Sequence, residues 1–168
     1  MIARTLSVAV LALACGCSTP DPARTTPIPA PLAPEVFRPV AAALGASCAS
    51  LDCHGQTGRN LRLYDAFGLR LSSADVPGKG ATTDAEILAD ERSLLGLEPD
   101  VIAAVIHDKG ADPMRLSIVR KARGAEVHKG SVVWPAGSPG DGCLLSWLAS
   151  SIDTAACGCV IAVDCPAK

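Results

Sequence analysis

Cys48-Ala-Ser-Leu-Asp-Cys53-His54 sets two cysteines around a four-residue gap and puts a histidine directly behind the second. In an oxidising compartment this spacing permits a disulfide loop. It also permits two thioether bonds to a c-type haem, because a histidine that follows the second cysteine directly is carried beneath the iron on a short tether. Most of what the chain can fold into and do depends on which of these two outcomes holds.

The compartment is written at the start. One early arginine, Arg4, precedes the apolar run Leu6 to Ala14, and small residues and cysteines follow as Cys15-Gly16-Cys17-Ser18. A basic start, a short apolar stretch and small residues at its end read as a secretory signal. The run is well under the roughly 20 apolar residues that a membrane-spanning helix needs. Small residues before a cysteine resemble the lipobox of bacterial lipoproteins, and that resemblance implies a diacylated cysteine as the new N-terminus. Cys17 is the better acylation candidate, since cutting before Cys15, the alternative, leaves a signal at the short limit. Gly16 and Ser18 also flank Cys17 well. Residues 1–16 are therefore expected to be a lipoprotein signal peptide, and the membrane a partner through the lipid anchor, facing the periplasm or cell surface. Soluble secretion after cleavage nearby is the other outcome. Residues 17–34 contain six prolines and no hydrophobic periodicity. Proline fixes φ and removes backbone donors, so this stretch is expected to be an extended tether.

Residues 35–168 are about one domain in size. The chain is 49% hydrophobic but 3% aromatic, so its core must be built from Ala, Val, Leu and Ile. A buried planar cofactor can complete such a core, and an Ala/Leu-rich helical bundle has the same composition. A net charge of −2 argues against nucleic acid, which is bound through dense basic surfaces. Helical signals dominate. Phe37 to Ala46 is alanine-rich, with Pro39 in its first turn. Thr83-Asp84-Ala85-Glu86 has the form of a capping box opening a helix to about Leu95. Pro99 to Asp108 carries Val101, Ile102, Val105 and Ile106 on one face, and Gly110 stops it. Asp112-Pro113 opens a further helix that ends before Gly124, and Asp141 to Ile152 forms the last. Between Asn60 and Gly80 the pattern is weak, with a brief apolar alternation. The expected fold class is all-α with long loops.

Four more cysteines lie near the end, Cys143 early in the last helix and Cys157, Cys159 and Cys165 in the tail. Cys157 and Cys159 are too close in sequence to bond readily to each other. Two disulfides are expected to staple the tail to the helix, with Cys143–Cys157 or Cys143–Cys159 one of them. A tetrathiolate metal site is the weaker reading, since Cys-x-Cys is not the usual zinc spacing. With Cys17 acylated and Cys15 discarded, six cysteines remain, enough for two thioethers and two bridges, or for three bridges.

The ordered set of Cys53-His54-Gly55 after a helix, the Pro113 segment, His128-Lys129-Gly130 and Trp147-Leu148 resembles the single-haem, cytochrome c-like lipoproteins of myxobacteria and their relatives. The resemblance spans about Val36 to Ser150. Ser131 stands where that family's turn has a second glycine, and Arg62 to Lys109 departs from its pattern. The four-residue gap departs from the common two, though it occurs among multihaem cytochromes of the c3 type. The resemblance implies a small cytochrome c-like domain holding haem c through Cys48, Cys53 and His54, with His54 as proximal ligand and His128 as distal ligand. Met114 is the alternative distal ligand, because methionine commonly partners histidine in cytochromes. His107, at a helix end before Asp108, reads as a capping or surface residue. No G-x-S-x-G, H-E-x-x-H or phosphate-cradling glycine loop is present, so no hydrolase logic competes. Two functions remain: an electron carrier docking weakly to periplasmic or membrane redox proteins, or a haem-free, disulfide-stabilised lipoprotein acting as a binding or structural module.

Overall fold

A computed structural model of the protein describes residues 26–162 and Cys165. Arg4, the apolar run, Cys15 and Cys17 lie outside the described residues. Among the described residues there are six α-helices and no strand: α1 (Pro34–Cys48), α2 (Asp84–Leu95), α3 (Pro99–His107), α4 (Ser117–Ala122), α5 (Pro139–Leu148) and α6 (Thr154–Ile161). The all-α expectation holds, and the brief alternation expected between Asn60 and Gly80 forms no strand. None of these helices is long and apolar enough to cross a membrane.

Helix α1 is the axis of the fold and packs against α2, α5 and α6. It buries Phe37, Val40, Ala41, Ala43 and Leu44 along one side. It starts earlier than the alanine-rich stretch predicts, with Pro34 in the first turn, so Pro39 lies inside the helix and withholds one backbone donor. Phe37 meets Trp147 of α5 edge-on, ring centres 5.6 Å apart, which gives an otherwise aliphatic core its one aromatic pair among the described residues. The expected tether is tied down before it reaches α1. The Leu32 amide donates to Glu91 at 2.8 Å, and the Trp147 indole donates to the same carboxylate at 3.3 Å.

The capping box opening α2 forms as expected. Thr83 Oγ1 accepts from the Glu86 amide at 3.3 Å, and Glu86 accepts from the Thr83 amide at 2.8 Å. Glu86 also receives Arg70 Nε at 2.8 Å and the Leu71 amide at 2.9 Å, which fastens the long segment between α1 and α2. Burial pushes its carboxyl up, but these donors outweigh it and hold the pKa down at about 2.

The helix expected from Asp112-Pro113 is broken in two. A single 3-10 turn, Pro113–Arg115, gives way to an extended Leu116 before α4 begins. The cause lies in a distant residue. Glu98 accepts from both the amide and the hydroxyl of Ser117, at 2.7 and 2.6 Å, and so caps α4 from outside. Leu116 is then turned into the core. Helix α5 starts two residues before the expected position, because Ser138 accepts from the Asp141 amide and Pro139 fills the first turn, and it ends at Leu148, short of Ile152. The tail after it forms α6, which was not expected, with Asp153 accepting from the Ala156 amide at 2.9 Å.

Among the described residues there are two disulfides, of which one staples the tail to the helix as expected: Cys143–Cys157 joins α5 to α6, whereas Cys159–Cys165 closes a ring within the tail itself. Pairing of all four thiols removes the tetrathiolate reading.

Candidate cofactor site

Cys48 is the last residue of α1, and the chain turns sharply after it. The Cys53 and Gly55 amides both donate to the Ser50 carbonyl, at 2.9 and 3.0 Å, and the His54 amide returns to the Cys48 carbonyl at 3.0 Å. The four residues between the cysteines are thereby folded into one compact turn. Gly55 is needed there, since a Cβ would lie 2.2 Å from the Ala49 carbonyl oxygen, and a Cβ at Gly68, in a separate turn, would lie 2.6 Å from the same oxygen. Cys48 and Cys53 are free thiols, each partly buried. Burial, with Cys53 beside it, pushes the Cys48 thiol up to about 12, so it stays protonated.

His54 is oriented by its own loop. Its Nδ1 donates to the Leu61 carbonyl at 2.9 Å, which leaves Nε2 free as an acceptor. Burial lowers its pKa, against the pull of that carbonyl, and His128, Arg59 and Lys121 lower it further. The imidazole is therefore held neutral, the form that binds metals.

His128 comes from the turn after α4. The Ser131 amide closes this turn on the His128 carbonyl at 3.0 Å, and the Val133 and Trp134 amides tie it back to the Ala122 carbonyl. Ser131 takes φ 55°, the left-handed conformation that a glycine at this position would adopt freely. A Cβ on Gly130 would meet the His128 ring at 2.9 Å, so glycine lets the backbone close over the imidazole. The ring stands across from His54, centres 5.8 Å apart and planes 18° from parallel. Its Nδ1 is shut off from solvent without a hydrogen-bond partner.

Both histidines line one open cleft of about 330 Å³, near the lower end of the ~300–1,000 Å³ usual for ligand sites. Leu61, Leu97, Ile118 and Val133 give it apolar walls, and Arg59 and Lys121 add two cations. Trp134 closes one side and is held by its indole, which donates to Ser47 Oγ at 3.2 Å.

These residues fit a covalent haem. Among the described residues no three His, Cys, Asp or Glu side chains gather into a cage for a bare metal ion. Two facing imidazoles suffice where a macrocycle supplies four nitrogens of its own. Cys48 lines the cleft with His54, Cys53 precedes His54 in the chain without lining it, and the two cations suit the carboxylates of a porphyrin.

The other candidate ligands lie elsewhere. Met114 does not line the cleft. Its sulfur accepts from Arg123 Nη1 at 3.4 Å, and Arg123 is in turn gripped by Asp141. His107 is exposed and contacts Asp108 at 2.9 Å. Sequence reasoning missed Leu61, Arg59, Lys121 and Trp134. Leu61 fixes His54 through its main chain, which carries no side-chain signal, and Arg59, Lys121 and Trp134 come together only once α4 and the flanking turns are folded. The chain matches no protein-family model, no curated protein and no solved structure.

Proposed function

We propose that the protein is an exported, lipid-anchored c-type haem protein that carries electrons, with Cys48 and Cys53 forming the thioether bonds and His54 and His128 as axial ligands. One observation carries this reading: two near-parallel imidazoles face each other across an apolar cleft, and one of them directly follows a pair of unbridged cysteines. Bound haem supplies one-electron chemistry. The chain's own residues do the rest. Leu61 fixes the His54 tautomer and direction, Gly130 lets the His128 turn close, and the apolar wall excludes water. Arg59 and Lys121 stand ready to receive carboxylates. The two disulfides are compatible with an exported protein, and acylation at Cys17 would hold the domain at a membrane beside its redox partners.

The test is to produce the full chain alongside a cytochrome c maturation system and denature it. A red protein whose Soret band survives denaturation supports the reading. Colourless protein from the same cells overturns it in favour of a haem-free lipoprotein that serves as a binding or structural module.

A further inference from the structure

We infer that a second pocket, beside the cofactor cleft, binds an oxyanion of the phosphate class between Arg59, Arg62 and Arg92. It lies between the segment that follows His54 and the second half of α2, with a volume of about 650 Å³ including its open mouth. Asn60, Tyr64 and Ser93 complete its polar wall, and no carboxylate lines it.

The three guanidinium groups are not neutralised. Among the described residues the arginines in ion pairs are Arg38, Arg70, Arg120 and Arg123, so Arg59, Arg62 and Arg92 are left without a carboxylate. Arg59 donates to the main-chain carbonyls of Cys53 and Asp52, and Arg62 to that of Thr57. These bonds position the side chains and leave their charge uncompensated. Arg62 Nε is shut off from solvent with no acceptor, and a buried donor left unmatched is costly. Ser93 Oγ accepts from the Arg62 amide at 2.8 Å, which leaves its hydroxyl proton free to donate.

Three like charges lining one hollow repel each other, and a bound anion lowers that cost. The chemistry selects the ligand. A carboxylate satisfies one guanidinium fork, whereas a tetrahedral phosphate offers oxygens to three donors approaching from different sides. The same group is available as free phosphate or as the phosphomonoester headgroup of a lipid. Arg59 and Asn60 also line the cofactor cleft, so an anion here would sit against its wall. The inference does not rest on the haem reading.

The full chain, as isolated, is titrated with inorganic phosphate by calorimetry, and separately with phosphatidylcholine vesicles with and without phosphatidic acid. Saturable binding of inorganic phosphate, weakened about tenfold or more in Arg62→Gln and in Arg92→Gln and unchanged in Arg38→Gln, is the expected result. The same dependence seen only on phosphatidic acid vesicles assigns the site to a lipid headgroup and also supports the inference. Arg92→Gln keeps the test decisive should Arg62→Gln fail to fold. Absence of saturable binding in both arms, or binding indifferent to Arg62→Gln and Arg92→Gln, overturns it.

Discussion

His54 and Leu61 are joined by a hydrogen bond from the imidazole Nδ1 to the main-chain carbonyl, 2.9 Å long, across a loop of seven residues. This bond places the proton on Nδ1 and leaves Nε2 free, on a ring whose centre lies 5.8 Å from that of His128. In protein matured with haem, His54→Ala is expected to abolish stable haem retention. His128→Ala should keep the haem attached but shift its visible spectrum, as the sixth position opens. Met114→Ala should leave the spectrum unchanged, because its sulfur rests on Arg123. A spectrum altered by Met114→Ala and not by His128→Ala would reverse the distal assignment.

Attachment itself depends on the thiols. Cys48→Ala and Cys53→Ala each remove one of two thioether bonds, so each should lower the fraction of haem that stays with the chain in acid acetone. The double variant should lose all of it.

Asp90 gives the fold a pH dependence of its own. The side chain is buried with one oxygen unpartnered, and burial raises its pKa from 3.8 to about 8, against the Tyr64 amide that donates to it. The folded state thus holds this proton more tightly than the unfolded chain does. Its contribution is fully present below about pH 4 and is lost as pH rises through about 8. Asp90→Asn keeps an acceptor for Tyr64 and cannot ionise. Denaturant unfolding between pH 5 and 9 should show the wild type losing stability relative to Asp90→Asn as pH rises. Parallel curves would exclude this origin.

The Cys143–Cys157 bridge closes a loop with a sequence separation of 14. Chain-entropy arguments assign such a loop about 3 kcal/mol, so Cys143→Ala/Cys157→Ala should lower the unfolding free energy by about that much. Peptide mapping without reductant should recover Cys143 joined to Cys157 and Cys159 joined to Cys165.

Anchoring is separable from all of this. Cys17→Ser should move the protein from the membrane fraction to the soluble one. If Cys15→Ser does so instead, acylation belongs to Cys15.

Much of this architecture was legible because its causes are local. The Thr83–Glu86 capping box and the proline starting α3 act within one turn, and both helices form where the pattern puts them. The break at Leu116 was not legible, because its cause, Glu98, lies 19 residues away and becomes a cap only once the chain has folded back. Helix α6 was hidden for another reason: its eight residues, Thr154–Ile161, contain a glycine, two cysteines and no clear apolar stripe, so Asp153 as a cap is its one local signal. At the site, Cys48, Cys53, His54 and His128 stood out as chemistry-bearing side chains. The Arg62 and Arg92 pocket did not, because it is assembled from two segments about thirty residues apart and has no motif.

One carbonyl oxygen, that of Ala49, leaves no room for a side chain in two different turns: a Cβ would lie 2.2 Å from it at Gly55 and 2.6 Å from it at Gly68. The cysteine turn and the 65–68 turn therefore close on a common atom, and only glycine lets both do so. A side chain introduced at Gly68, outside the cleft's lining, would be transmitted through that oxygen to the backbone carrying His54. Room for the backbone that carries His54 is thus kept partly by a residue outside the cleft's lining.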